Sequence, residues 1–303
     1  RDETGFLTQL LRPIYNSPTE LFKIVPIFVL YGVGRLFGDS YSIQVIISLL
    51  ASVAIPLVLA AFPLWRRESA NHLVDYGIGF SALILGYLSL YLHEFSGWGF
   101  HNYGILSLVI AVAVSGRIFS KLQTSLSGRV AWRDIAALFL VNGLALYSYK
   151  TNLFLLPPAT VLALMVLPGA DWRRKFRYIF VYALIVAVLV LPFVPLLFVS
   201  IGKPGFAHNS LSPMSLMASV YSLSLAEWQA IISGRVMSWF ITSRELYSLP
   251  GLAAGLVGLA LLARDGVRLP LGVIVAHFLA WCFVPLFAGS SLRTYPYIIP
   301  FMA

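Results

Sequence analysis

Residues 171–201 read DWRRKFRYIFVYALIVAVLVLPFVPLLFVSI. Arg173, Arg174, Lys175 and Arg177 stand close together, and Ile179 to Ile201 then runs for 23 residues without a charge. A helix that crosses a hydrocarbon layer needs roughly 20 mostly apolar residues. Lys and Arg collect in the cytoplasmic loops that flank such helices. This stretch has both marks, and the pattern repeats along the chain. Of the 303 residues, 59% are hydrophobic and 11% are charged. A soluble domain carries about a quarter charged residues, so the deficit reads as an integral membrane protein. The expected fold is all-α, a polytopic membrane helical bundle forming a single domain over residues 1–303.

The candidate spanning segments are Tyr41 to Leu64, Val74 to Leu92, Tyr103 to Phe119, Ile135 to Tyr149, Leu153 to Leu167, Ile179 to Ile201, Leu249 to Leu262 and Leu271 to Ala288, with another starting near Tyr297. Pro56, Pro157, Pro158, Pro192 and Pro195 do not exclude helix, because neighbouring helices and water can satisfy the freed backbone groups. Glu20 to Phe37 is apolar but holds Lys23 and Arg35, so it reads as an interfacial helix or a short spanning one.

The loops sort into two sets. Arg66 and Arg67; Arg117, Lys121, Arg129 and Arg133; Arg173, Arg174, Lys175 and Arg177; and Arg264 and Arg268 put twelve basic residues into four short loops. These are expected on the cytoplasmic side. The segments His93 to Asn102, Lys150 to Asn152, Gly202 to Pro250 and Ser290 to Pro296 carry no such clusters and are expected outside, together with the N-terminal stretch. That topology requires Glu20 to Phe37 not to cross on its own. Gly202 to Pro250 is the longest polar connection and contains an amphipathic stretch, Leu216 to Phe240.

The net charge of +9 follows from those loops, so the cations do not form a phosphate-tracking face and nucleic acid is not an expected partner. Cys282 is the one cysteine, which excludes an internal disulfide and a thiolate metal cluster. Walker A, dinucleotide-fingerprint, Gly-x-Ser-x-Gly and HExxH motifs are all missing. No metal site is assigned. A divalent cation is the one cofactor left open, because His93, Glu94 and His101 flank one outer turn. With Trp98, Phe100, Asn102 and Tyr103, the same turn also has the composition of a sugar-binding lip. His277, in the middle of an apolar run, reads as a packed and hydrogen-bonded core residue.

The candidate catalytic residues are Asp2 and Glu3. In a chain this apolar, adjacent carboxylates on the outer side are either a solvated loop or a general base that takes a proton from an attacking hydroxyl. Outer-side cations could neutralise a departing phosphate. Lys23 and Arg293 are the two singled out.

The ordered segments resemble the GT-C glycosyltransferases, in particular the bacterial family of the lipid A aminoarabinose transferase and the protein mannosyltransferases. Asp2-Glu3 is similar to that family's Asp-Glu pair after its first helix. Ser17-Pro18-Thr19-Glu20-Leu21-Phe22-Lys23, Leu36-Phe37-Gly38-Asp39-Ser40 and Ile47-Ser48-Leu49-Leu50 resemble its first outer loop and next helix. Asn102-Tyr103-Gly104-Ile105-Leu106, Leu146-Tyr147-Ser148-Tyr149 and Tyr297-Ile298-Ile299-Pro300 resemble later family segments. Three positions depart from the pattern. Gln44 and Pro296 stand where the family has arginines, and Tyr149 stands at the histidine of its Thr-His-Tyr motif.

The resemblance implies a GT-C bundle with interfacial helices in the first outer loop, lacking its first helix and its C-terminal continuation. It implies an inverting transferase in the bacterial inner membrane. The enzyme would move a sugar from a polyprenyl-phosphate donor to a hydroxyl of a glycan, lipid or protein acceptor. Asp2 would be the base, and Glu3 and Glu20 would support it or hold a cation. Lys23 and Arg293 would face the lipid phosphate, with Asn102, Tyr103 and Tyr297 also in the substrate site. An O-antigen ligase or polymerase is the alternative, resting on Arg235, Arg244 and His208. A lipid or polysaccharide transporter would need charges inside its spans, and the spans here are almost free of them.

Overall fold

The computed structural model describes residues 23–38, 41–64, 100–124, 130–192, 194, 224–264 and 268–283. Among the described residues the ordered elements are all helices: α1 (Ile24–Phe37), α2 (Tyr41–Leu64), α3 (Phe100–Thr124), α4 (Trp132–Leu146), α5 (Thr151–Met165), α6 (Trp172–Val190), α7 (Leu225–Arg264) and α8 (Leu269–Phe283). The all-α expectation is met, and no strand occurs among the described residues. The segments Val74 to Leu92 and from Tyr297 onward lie outside them.

Local sequence explains where the helices start and stop. Asp171 caps α6, its carboxylate accepting the Arg174 amide at 2.8 Å, which satisfies one of the donors a helix start leaves open. Ser224 and Glu227 form a reciprocal pair at the start of α7: the Ser224 amide donates to Glu227 Oε2 at 2.7 Å, and the Glu227 amide donates to Ser224 Oγ at 3.3 Å. This is the Ser-x-x-Glu capping box. Gly38 ends α1 with φ of 91°, a conformation that penalises any residue with a Cβ. Helix α5 continues through Pro157 and Pro158. Pro158 turns outward and Pro157 is half-buried, while Leu155, Leu156, Ala159 and Thr160 face the core.

The structure corrects two boundary expectations. Gly202 to Pro250 is not a connection throughout: from Leu225 it belongs to the 40-residue helix α7, which runs through Pro250. Helices α4, α5 and α6 also begin two to seven residues earlier than Ile135, Leu153 and Ile179. Their first turns are polar, and capping by Asp171 shows why a charged turn can be helix rather than loop.

Helix α3 is the axis of the bundle. It packs on α2, α4, α5 and α8, while α5 packs on α8, α6 and α4. Ile105, Leu108, Leu146, Leu155, Leu156 and Leu164 are fully buried between them. Hydrogen bonds also cross the core. Tyr182 of α6 donates to Asn142 Oδ1 of α4 at 2.8 Å, and Asn142 donates to the Leu138 carbonyl of its own helix. His277 of α8 is fully buried and its Nδ1 accepts the Trp239 indole N–H at 3.2 Å. It is a packed and hydrogen-bonded residue, as its sequence context suggests.

The outward faces are apolar as well. On α6, Tyr178, Tyr182, Ile185 and Leu189 point inward, while Phe176, Phe180, Leu184 and Val188 form an exposed stripe at four-residue spacing. Leu49, Leu50 and Leu57 of α2 and Phe139, Leu140 and Leu144 of α4 are exposed too. A helix facing water carries polar residues there. Among the described residues one helix segment, His101–Gln123, is long and apolar enough to cross a membrane, and Ile24–Phe37, Val45–Leu59, Thr151–Met165 and Leu269–Phe283 are shorter apolar helices.

Candidate functional site

Contacts between the helices define two ends of the bundle. At one end the Val25 amide, in the first turn of α1, donates to the Tyr147 carbonyl just beyond α4 at 3.1 Å. Two residues on, the Tyr149 hydroxyl lies 3.2 Å from His101 Nε2, and the two rings sit 4.4 Å apart. Asn102 donates to the Ser48 carbonyl of α2 at 3.4 Å. The Tyr147 hydroxyl donates to the Leu189 carbonyl at the end of α6 at 2.8 Å. The starts of α1, α3 and α5, the ends of α4 and α6 and the first turns of α2 therefore meet at one end. By Ser48 the chain has returned to the end where α1 begins.

At the opposite end, Lys121 in the last turn of α3 forms a 3.2 Å ion pair with Asp134 in the first turn of α4. Helix α6 also begins there, because it finishes beside Tyr147. Arg117, Lys121, Arg133, Arg173, Arg174, Lys175 and Arg177 thus share the end remote from His101 and Tyr149. The sorting of loops by charge in the sequence corresponds to these two ends for the basic residues of α3, α4 and α6.

The polar end is built around Asn152, at the second position of α5. Its amide donates to the Gly104 carbonyl of α3 at 2.9 Å and to the Ala145 carbonyl of α4 at 2.8 Å. Three helices are tied by one side chain with no exposed surface. Its Oδ1 is buried with no hydrogen-bond partner among the described residues. Tyr103, next to Gly104 in α3, buries its hydroxyl with no partner among the described residues. Native interiors pair nearly all such atoms, so this end holds a phenol and an amide oxygen with capacity to receive or give a further hydrogen bond.

Of the residues singled out in the sequence, Lys23, Asn102 and Tyr103 are described. Lys23 is half-buried at the N-cap of α1, two residues before the amide that binds Tyr147. Asn102 and Tyr103 are in the first turn of α3, and Asn102 is fully buried with its amide used against α2. All three belong to the same end. Asp2, Glu3, Glu20, Arg293 and Tyr297 lie outside the described residues, as do His93, Glu94 and His208. Arg235, named for the alternative reading, donates to the Cys282 carbonyl at 3.0 Å, while its own carbonyl accepts the Trp281 indole N–H at 3.1 Å. One N–H of that guanidinium thus helps to join α7 to α8.

Asn152 and the pairing of His101 with Tyr149 were not singled out as a site from the sequence. Asn152 carried a readable signal, because an amide entering an apolar helix must find partners when buried. The pairing joins residues 48 apart, and local pattern holds no trace of it.

The groups at this end have the chemistry that contacts with hydroxyl and phosphate oxygens require. Lys23 supplies a cation, His101 and Tyr149 a coupled proton donor and acceptor, and Tyr103 and Asn152 spare hydrogen-bonding capacity. Among the described residues no group of three or more His, Cys, Asp or Glu comes together as a metal site. No family model, curated protein or solved structure matches the chain.

Proposed function

We propose that the chain is the multi-pass membrane core of an inverting GT-C-type glycosyltransferase of a bacterial inner membrane, acting at the outer face on a polyprenyl-phosphate sugar. The observation that carries this reading is the polarity of the bundle. One end gathers Lys23, His101, Asn102, Tyr103, Tyr149 and Asn152, and the other gathers the basic turns.

The apolar outward stripes of α2, α4 and α6 support the membrane part of the reading. Water-facing helices would lose free energy by exposing Phe176 and Phe180, whereas a hydrocarbon layer would favour them. The 40 residues of α7 extend about 60 Å at the usual rise, more than a hydrocarbon core of about 30 Å, so part of α7 would lie beyond it. The return of the chain to its starting end by Ser48 supports an interfacial lie for α1.

In the reaction, Asp2 would take the proton of an acceptor hydroxyl as that oxygen attacks the anomeric carbon. The glycosyl–phosphate bond would break in the same step and invert the carbon. The lipid phosphate would leave with the bonding electron pair, its charge met by Lys23 and Arg293. Glu3 and Glu20 would support Asp2 or hold a cation beside it. The tail would enter sideways from the bilayer. Glycan, lipid and protein hydroxyls are all acceptors of the required chemistry.

The test is transfer in membranes holding the full chain and supplied with a polyprenyl-phosphate sugar. Asp2→Asn should abolish product while leaving the folded yield intact. Undiminished transfer by that variant would refute the assignment.

A further inference from the structure

The end remote from His101 has a feature that glycosyl transfer does not use. Two helices that start there begin alike: Ala131-Trp132-Arg133-Asp134 opens α4 and Asp171-Trp172-Arg173-Arg174 opens α6. Both indoles point away from the protein, Trp132 being 74% and Trp172 65% exposed. An indole is the largest apolar side chain, and two of them left out at matching positions are not explained by packing. The Arg133 guanidinium lies 6.0 Å from the Trp132 ring, within cation–π range.

Around them the charge is positive. Arg117, Arg133, Arg173 and Arg177 are exposed, and Lys121 and Lys175 lie beside them. The described acids at this end are Asp134 and Asp171. Asp134 is paired with Lys121, and Asp171 caps α6. One to two turns further into each helix the surface changes character: Phe176 and Phe180 follow Trp172, and Phe139 and Leu140 follow Trp132. The first turns of both helices therefore hold an indole together with cations, and exposed hydrocarbon dominates further in, with Arg177 still beside Phe176 on α6. That grouping matches a leaflet boundary, where amphipathic rings and Lys or Arg sit at headgroup level and acyl chains lie beneath.

We propose that this end of the bundle is a docking surface for anionic phospholipid headgroups. Arg133, Arg173 and Arg174 engage the lipid phosphates, and Trp132 and Trp172 mark the depth of the boundary. Charge complementarity selects the occupant. A zwitterionic headgroup offers the same phosphate but adds a cation that these arginines repel, and each basic residue near an anionic leaflet adds attraction. The surface rests on the membrane part of the reading above and is independent of whether the opposite end transfers sugar.

The full chain reconstituted into bilayers of phosphatidylcholine alone, or with phosphatidylglycerol as about a third of the lipid, provides the test. Native mass spectrometry counts the lipids that remain bound. The expected result is insertion into both bilayers and phosphatidylglycerol retained over phosphatidylcholine by about fivefold or more. The preference should disappear in the triple variant Arg133→Gln, Arg173→Gln, Arg174→Gln and persist with lysine at the same three positions. If the glutamine variant does not fold, raising salt to about 0.5 M on the unaltered protein should shrink the preference.

Failure to insert into either bilayer would overturn the membrane reading and this surface together. Insertion with equal retention of the two lipids, or a preference unchanged in the glutamine variant and by salt, would overturn the surface alone. Retention of an RNA oligonucleotide in place of phosphatidylglycerol, lost in the glutamine variant, would also overturn it.

Discussion

Gly272 of α8 lies against the backbone of Ala159 in α5: a Cβ at position 272 would stand 2.7 Å from the Ala159 carbonyl oxygen and 3.2 Å from its Cα. The obstacle is main chain, so it cannot rotate aside. If lipid surrounds the bundle, burial of apolar surface gives helices little reason to associate, and close backbone approach through small residues takes its place. Gly272→Ala should therefore destabilise the protein by about 1–3 kcal/mol, the range for overpacking. Gly234 in α7 has open space around it, and Gly234→Ala should be neutral or stabilising by roughly the helix-propensity difference of about 1 kcal/mol. Thermal unfolding in detergent distinguishes them, and equal melting temperatures would contradict the close approach.

Asn152 joins α3, α4 and α5 by donating to the Gly104 and Ala145 carbonyls. Asn152→Ala should cost about 1–3 kcal/mol, because buried carbonyls lose a donor and no water replaces it. Asn152→Asp should cost more than alanine, since a carboxylate turns acceptors toward acceptors and adds an unpaired buried charge. The check is the order of the two variants in detergent unfolding; aspartate at or above alanine would remove Asn152 from the role of hub.

How far the sequence carried these conclusions depends on the range of each interaction. Tyr41–Leu64 is bounded in the structure as its apolar run suggests, because a long uncharged segment needs no tertiary information. The helices starting at Trp132 and Trp172 begin inside stretches whose charge reads as loop, although Asp171 supplies a cap. The start of α7 lies inside a polar connection despite Ser224 and Glu227 standing three apart. At the site, the side of Lys23, Asn102 and Tyr103 was legible from Lys and Arg in other loops. The same sorting places Asn152, but the contacts of Tyr149 and Asn152 with α3 were not legible, because packing across 48 residues leaves no local period.

The pair at the start of α7 predicts a pH effect. Hydrogen bonds from the Ser224 hydroxyl and amide hold the Glu227 carboxyl below its ordinary value of 4.5. A carboxylate lowered by folding stabilises the folded form above its unfolded pKa, and that contribution is lost as pH falls through the folded value. The first turn of α7 should accordingly open at pH below 4.5 and stay closed at neutral pH. Hydrogen exchange at the Ser224 and Glu227 amides, corrected for intrinsic rates, measures this. Glu227→Gln should flatten the acid-side change, and an acid-side change of equal size in that variant would assign the effect to another group.

Lys23 and Tyr149 test the proposed site by different routes. Lys23→Ala removes a cation proposed to meet the donor phosphate, and a charge-assisted hydrogen bond contributes about 1.5–3 kcal/mol. Loss of one should weaken the use of donor by roughly 10- to 100-fold. Lys23→Arg keeps the charge and should restore part of that loss. Tyr149→Phe keeps the ring contact with His101 and removes only the hydroxyl bond at 3.2 Å. It should leave stability within about 1 kcal/mol. Its effect should fall on the pH profile of transfer, because the phenol biases which ring nitrogen of His101 carries the proton. Donor kinetics and a pH profile for each variant separate the two roles. If Lys23→Ala leaves donor use intact while Tyr149→Phe leaves the profile unmoved, the polar end is a structural clasp and the transfer site lies elsewhere on the outer face.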